Sequence, residues 1–239
     1  MRESIDVLIA CFNEEESIES VILDHLKVLE ETKVFENYLI TVLDDGSTDG
    51  SHNKISKIKE SNNHIRLIVS DKPSGISEAF NKLLASTNND WVYFTSGDGQ
   101  FPASILSEII SKFDNRTDLY ITKRINKVEI YSIFRLLISY LYRVVVLIIS
   151  GKDPIDAGSN KLARRSLLEE KYECKYLARD AELVIKTKTK HKNLSIIECK
   201  FGSRENGKST IRIRVIIKTF LDSFHLIKYR FPNYAKFKN

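Results

Sequence analysis

The chain has few of the residues that staple, punctuate or ligate. Its 239 residues include 3 cysteines, 4 prolines, 9 glycines, 1 methionine and 1 tryptophan. Cys11, Cys174 and Cys199 are odd in number and form no C-x-x-C pair. That excludes a disulfide framework or a zinc site as the expectation and points to a reducing, cytoplasmic compartment. The histidines form no H-x-x-x-H pattern. Scarce Gly and Pro leave no visible interdomain linker, and no internal repeat or low-complexity segment is present. No G-x-G-x-x-G and no P-loop follows the first strand, which disfavours a dinucleotide cofactor. No signal peptide is expected, because the N-terminus enters a strand pattern directly. No window offers the roughly 18 uncharged apolar residues of a spanning helix. The nearest, residues 130–150, is interrupted by Arg135 and Arg143. It is expected not to span a membrane, which leaves contact with the cytoplasmic face of a membrane, packing against the sheet or a place in a dimer interface.

What is present is an α/β pattern in a chain of single-domain length. Strand-like runs at 5–10, 38–43, 65–69, 91–95 and 119–122 alternate with amphipathic stretches at 15–29, 51–58, 77–84 and 104–113. This order implies a mostly parallel, Rossmann-like sheet flanked by helices. Ligands of such sheets bind at the carboxyl ends of the strands. The second half is less regular, with helices expected at 131–149 and 181–189, a strand at 194–201 and a C-terminal amphipathic helix at 210–229. The net charge is +5, from 37 basic and 32 acidic residues, with acidic residues gathered early and a basic stretch at 204–238. An acidic site with a basic periphery suits a metal–phosphate ligand and an anionic surface or acceptor, although a basic tail is also ordinary solvated surface.

Polar turns end the first, second and fourth strands. The first is Cys11-Phe12-Asn13-Glu14; the second is Asp44-Asp45-Gly46-Ser47-Thr48-Asp49. Glu15 and Glu16 read as ordinary first-turn helix carboxylates. Asp45 reads as functional, because two adjacent carboxylates at a strand end repel each other. The third turn, Ser96-Gly97-Asp98-Gly99-Gln100-Phe101-Pro102, places a carboxylate and an amide among glycines that a diphosphate can approach. Mg2+ or Mn2+ favours such oxygen donors and takes one or two carboxylates plus substrate phosphates, so Asp98 and Gln100 are the candidate metal residues.

These motifs together resemble family 2 glycosyltransferases of the GT-A fold, and among them the dolichol-phosphate mannosyltransferase and polyprenyl-phosphate glycosyltransferase branch. Ile121-Thr122-Lys123-Arg124, the segment from Asp156 to Arg165, and Glu198 to Ser209 (ECKFGSRENGKS) extend the likeness over residues 5–212. The resemblance implies one glycosyltransferase domain over 1–239: a nucleotide-sugar-binding half at 1–125, an acceptor-side half at 126–212 and a basic amphipathic tail at 213–239. It implies a nucleotide-diphosphate sugar donor contacted by Ala10, Phe12, Glu14, Leu43, Asp45, Gly97 and Asp98. Arg124, Arg135, Lys161, Arg204 and Lys208 become the residues for diphosphate or acceptor phosphate. Asp98 and Arg124 are then catalytic, with Mg2+ or Mn2+ at Asp98 and Gln100. The chain departs from the pattern at Ser96, where the family writes the first Asp of Asp-x-Asp, and at Ala10, where proline is common. It also lacks the Gly-Phe expected near Asn160 and Lys161.

The expected activity is inverting sugar transfer to an acceptor, a polyprenyl phosphate first. A phosphate monoester, with a second pKa of about 6, attacks without a base. A glycan or protein hydroxyl needs one, and Asp180 and Glu182 are the candidates for that role. A nucleotide-sugar-binding protein weakened in catalysis by the loss at position 96 is the remaining alternative.

Overall fold

A computed structural model describes residues 3–175, 178–202 and 213–231. In chain order its elements are β1 (Glu3–Cys11), α1 (Ile18–Glu31), β2 (Phe35–Asp44), α2 (Ser51–Ser61), β3 (Ile65–Val69), α3 (Ile76–Ala85), β4 (Trp91–Ser96), α4 (Ser104–Ser111), β5 (Leu119–Arg124), α5 (Lys127–Ile130), α6 (Ile133–Ser150), β6 (Lys161–Arg164), α7 (Arg165–Leu168), α8 (Ala178–Thr189), β7 (Leu194–Cys199), α9 (Ile213–Asp222) and a 3-10 helix (Ser223–Tyr229). They form two compact units that interleave in sequence. The first comprises Met1–Asn115, Asn160–Leu168 and Phe201–Gly207; the second comprises Arg116–Ser159, Glu169–Lys200 and Lys208–Asn239.

In the first unit β1 lies between β2 and β4, β3 flanks β2, and all four strands are parallel. Strand β6 closes the other side antiparallel to β4, Phe94 opposite Lys161. The alternation of period expected from the sequence is therefore realised, with one short antiparallel strand added. Strand β1 is buried almost continuously, Ile5, Val7, Leu8 and Ile9 being inaccessible to solvent. That is the pattern of a parallel strand covered on both faces. Helix α3 packs on β1 and β2, while α1 packs on β2, α2 and α4. Phe113 meets the rings of both Phe35 and Trp91 edge-on. Ala10 is paired with Leu43 and with Ser96, and Cys11 with Asp44. The register thus sets the three polar turns side by side on one rim, where the chain's direction of winding changes at β1.

In the second unit β5 and β7 pair in parallel, Arg124 opposite Cys199. Helices α6 and α8 and the 3-10 helix share a core of Val146, Ala157, Cys174, Ala178, Ala181, Ile185 and Leu226. One face of α6 points outward: Ile133, Phe134, Leu137, Tyr140, Leu141 and Ile148 are all exposed. Although Arg135 and Arg143 break its apolar run, α6 is long and apolar enough to cross a membrane by length and composition.

Candidate active site

The rim of the first unit is built by loops that hold each other. Asn13, in the left-handed region at φ 55°, accepts from Thr48 N through Oδ1 at 2.8 Å, and its own N–H donates to Ser47 Oγ at 3.0 Å. Glu14 N donates to Ser51 Oγ at 2.9 Å, and Glu15 N to Asp49 Oδ2 at 3.1 Å. Glu15 Oε2 accepts from Gly50 N at 3.0 Å. Ser47, Thr48, Asp49 and Glu15 therefore stitch two turns together, and Glu15 is not a free first-turn carboxylate. Phe12 stands out of this frame, with 38% of its surface exposed, and offers a flat ring. Leu43 is fully buried beneath the turn, so its side chain cannot reach a ligand.

The adjacent carboxylates do not confront each other, because successive strand residues point to opposite faces. Asp44 turns toward α2, where Oδ1 accepts from Ser47 N at 2.9 Å and Oδ2 lies 3.0 Å from His52 Nδ1. Asp45 turns toward the loop after β3. Its Oδ2 accepts from Ser74 N at 2.8 Å and Gly75 N at 3.0 Å, and its Oδ1 accepts from Ser74 Oγ at 2.7 Å. Burial alone would raise the Asp45 pKa, but these bonds and the charge of Lys82 hold it below the usual carboxylate range. The pair is thus well-satisfied structure, which corrects the argument that two neighbouring carboxylates must be strained.

At the end of β4, Gly97 N donates to Ala10 O at 2.8 Å, and Ser17 Oγ donates to Gly97 O at 2.7 Å. A Cβ on Gly97 would meet Ile18 Cδ1 at 3.0 Å, so a larger residue there would press on the α1 side chain. Asp98 Oδ1 accepts from Ser96 Oγ at 2.5 Å and from Gln100 N at 3.1 Å. Ser96 thus occupies the place of the missing carboxylate as a hydroxyl aimed at the remaining one. The described residues contain no cluster of three or more His, Cys, Asp or Glu able to cage a metal. The donors present are the hard oxygens of Asp98, Ser96 and Gln100, a set that fits an ion completing its shell with phosphate and water. Lys161, the first residue of β6, is half-buried.

The second unit carries a cationic cluster. Arg124, at the end of β5, donates from Nε to Asp156 Oδ2 at 2.9 Å and from Nη1 to Tyr131 Oη at 2.7 Å. Lys127 Nζ lies 2.8 Å from Asp156 Oδ1. The Arg135 guanidinium stacks 3.8 Å above the Tyr131 ring. Burial would raise the Asp156 pKa, but Arg124 and Lys127 pull it down to about 2. Two cations therefore share one carboxylate, and a third, Arg135, stacks on the tyrosine that Arg124 also bonds. On α8, Asp180 is half-buried in the first turn, whereas Glu182 is inaccessible. Residues two apart on a helix do not share a face. Glu182 Oε2 accepts from Glu173 N at 2.9 Å and Cys174 N at 2.7 Å; Oε1 accepts from Lys228 Nζ at 3.0 Å and Tyr229 Oη at 2.9 Å.

The model of glycosyl transferase family 2 matches residues 6–171. The chain belongs to that family. Among curated relatives it is 26% identical over 230 residues to the dolichol-phosphate mannosyltransferase of Pyrococcus furiosus, covering 94% of this chain and 64% of the relative. It is 24% identical over 222 residues to the undecaprenyl-phosphate 4-deoxy-4-formamido-L-arabinose transferase of Photorhabdus laumondii, covering 92% of this chain and 66% of the relative. The chain thus spans just under two thirds of the length of these family 2 relatives. Among solved structures, glucosyl-3-phosphoglycerate synthase of Mycobacterium tuberculosis with Mn2+, uridine diphosphate and phosphoglyceric acid aligns with a TM-score of 0.69 at 17% identity, covering 95% of this chain and 78% of that one. The GT-A-type fold expected from the sequence is the fold found.

Of the family 2 residues expected from the sequence, the first unit brings Ala10, Phe12, Glu14, Asp45, Gly97, Asp98 and Gln100 to the ends of three neighbouring strands. The second unit brings Arg124 and Arg135 to one tyrosine. Arg204 and Lys208 lie outside the described residues. Glu182 is corrected from candidate base to clamp: four donors occupy its carboxylate. Lys127 was missed. Its signal was position alone, a third cation in the run Lys123-Arg124-Ile125-Asn126-Lys127.

Proposed function

We propose that the chain transfers a sugar, with inversion, from a nucleoside-diphosphate sugar to a lipid-linked polyprenyl phosphate. The observation that carries this reading is the cationic cluster: Arg124 and Lys127 share the single carboxylate of Asp156, and Arg135 stacks on Tyr131, which Arg124 also bonds. Such a group suits an anionic acceptor that brings its own nucleophilic oxygen. The names of the curated relatives, polyprenyl-phosphate transferases, support the same class. With Glu182 engaged, Asp180 is the candidate base left on α8 for a hydroxyl acceptor.

In this reading 1–239 work as one glycosyltransferase domain whose donor residues belong to the first unit and whose acceptor cations belong to the second. Phe12 packs on the nucleoside, with Ala10 and Glu14 beside it, and Gly97 gives the diphosphate close approach. Asp98, Ser96 and Gln100 would hold Mg2+ or Mn2+, which would supply charge stabilisation for the departing diphosphate. Arg124 and Arg135 orient the acceptor phosphate, whose oxygen forms the new bond to the anomeric carbon as the bond to the diphosphate breaks. Lys161, Arg204 and Lys208 remain proposed phosphate contacts. The outward apolar face of α6 rests at a membrane surface, where a lipid acceptor resides.

The test is transfer from a panel of nucleoside-diphosphate sugars, with and without Mn2+, to detergent-dispersed polyprenyl phosphate and to soluble glycans. Lipid-phosphate product is expected. Transfer to glycans alone replaces the acceptor class, and no turnover with any donor overturns the enzyme reading. Asp98→Ala should remove the Mn2+ dependence and lower turnover by roughly 100-fold or more; unchanged turnover would refute its assignment.

A further inference from the structure

The loop between β3 and α3, residues 70–75, is fastened to the acidic turn at both ends. Ser70 N donates to Asp44 O at 2.9 Å. Ser74 and Gly75 give Asp45 its three hydrogen bonds. Lys82, on α3, donates from Nζ to Ser70 Oγ at 2.8 Å and to Ser74 Oγ at 3.2 Å, and lies 3.8 Å from Asp45 Oδ1. The turn and the loop also touch backbone to backbone. A Cβ on Gly46, which has φ +79°, would come within 2.9 Å of Lys72 Cα. Gly75, at φ 85° and ψ 159°, takes a conformation that is essentially glycine's alone and sets the entry into α3.

We infer that this loop is a preformed wall of the nucleoside pocket, that Lys82 is the residue that holds it, and that Asp45 acts through the loop. The inference rests on the nucleotide-sugar reading above. Asp45 Oδ2 already accepts from two N–H groups, and Oδ1 accepts a hydroxyl while facing an ammonium. Little acceptor capacity remains for selecting a base. What the carboxylate does instead is fix Ser74 and Gly75, and with them the exposed residues 71–75 beside the acidic turn. Lys82 ties the opposite side through two hydroxyls and balances the Asp45 charge. A loop held before the ligand arrives spares binding the cost of ordering it. Lys82 is thus a positioning residue that sets nucleoside affinity and selectivity.

Calorimetric titration of the full chain with UDP, GDP, CDP and ADP in Mn2+ tests this, using the wild type, Lys82→Met and Lys82→Arg. Lys82→Met should bind the preferred diphosphate roughly tenfold more weakly, with a reduced preference among bases. In turnover the loss should fall on KM for the donor more than on kcat. Lys82 is one-third exposed, so the melting temperature should shift little, and Lys82→Arg, which keeps charge and donors, should recover most of the affinity. Unchanged affinity and selectivity in Lys82→Met would overturn the inference. So would a loss that follows the melting temperature and is not recovered by arginine. A wild-type chain that binds none of the four diphosphates overturns the nucleotide-sugar reading itself, which separates that failure from failure of the wall.

Discussion

Asp6 is a carboxylate inside β1, 1% exposed, and its Oδ1 has no hydrogen-bond partner. Burial raises its pKa to about 6, against the opposing influence of Arg66 and Asn89. The direction of the linkage follows. The folded pKa lies above the unfolded value of about 3.9, so the fold binds the proton more tightly than the unfolded chain does. Asp6 therefore costs stability as pH rises from about 4 through about 6, and the cost stays constant above that. Asp6→Asn should raise stability at pH 8 by roughly 1–3 kcal/mol and flatten the slope between pH 4 and 6. Urea melts of both proteins at pH 5 and pH 8 measure this. An Asn variant less stable than wild type at pH 8 would show that the charge is compensated by its surroundings. The neighbouring Asp44 and Asp45 teach a related lesson. Their motif was legible, but their partners were not: Ser74, Gly75 and Lys82 lie 29 or more positions away from Asp45 in sequence. A motif records residue types, whereas a carboxylate's role depends on which donors the fold brings to it.

Between elements, the Glu182 clamp joins α8 to the segment at Glu173–Cys174 and to the end of the 3-10 helix. Burial alone would raise its pKa, but hydrogen bonds from Cys174, Lys228 and Tyr229 depress it below the ordinary glutamate range. The sign is opposite to that of Asp6: its contribution is present above the unfolded pKa and is lost as pH falls through the folded one. Glu182→Gln puts an amide NH2 against two donors in either orientation. It should cost on the order of 3 kcal/mol, read as a lower melting temperature at neutral pH. At a temperature where the variant stays folded, transfer activity should persist with an unshifted pH profile. Abolished activity in a folded protein would restore Glu182 as a base. The element level also shows where sequence reading ran out. The βα alternation was visible because parallel strands and amphipathic helices impose different periods. Strand β6 was not, since its four residues, Lys161–Arg164, are too few to show a period and owe their conformation to the edge of β4. The terminal helix likewise looked continuous, yet it tightens into a 3-10 helix from Ser223, where Tyr229 and Lys228 must reach Glu182.

Charge and apolar surface combine only for the molecule as a whole. The chain carries a net charge of +5, and its second unit exposes Ile133, Phe134, Leu137, Tyr140, Leu141 and Ile148 on α6, with Ile217 and Leu221 on α9. Single exposed apolar side chains are commonplace, but a row along one helix marks an interaction surface. An interfacial helix draws its affinity from buried apolar area plus attraction to anionic lipid, and the two contributions respond differently to salt. The full chain should therefore sediment with anionic phosphatidylglycerol vesicles more strongly than with neutral phosphatidylcholine vesicles. Raising the salt to about 0.5 M should weaken the anionic case toward the neutral one without abolishing it. Leu137→Asp with Leu141→Asp should remove the residual salt-resistant binding in both, because each charge opposes insertion while α6 keeps its buried side at Val146 and Ser150. Nucleoside-diphosphate binding in solution should be unaffected by that pair of changes, since the proposed donor residues belong to the first unit. Transfer to a polyprenyl phosphate embedded in vesicles should fall with vesicle binding, while transfer to a short-chain, water-soluble phosphate acceptor should not. A double variant that still binds neutral vesicles would assign the apolar face to contact with another protein surface instead.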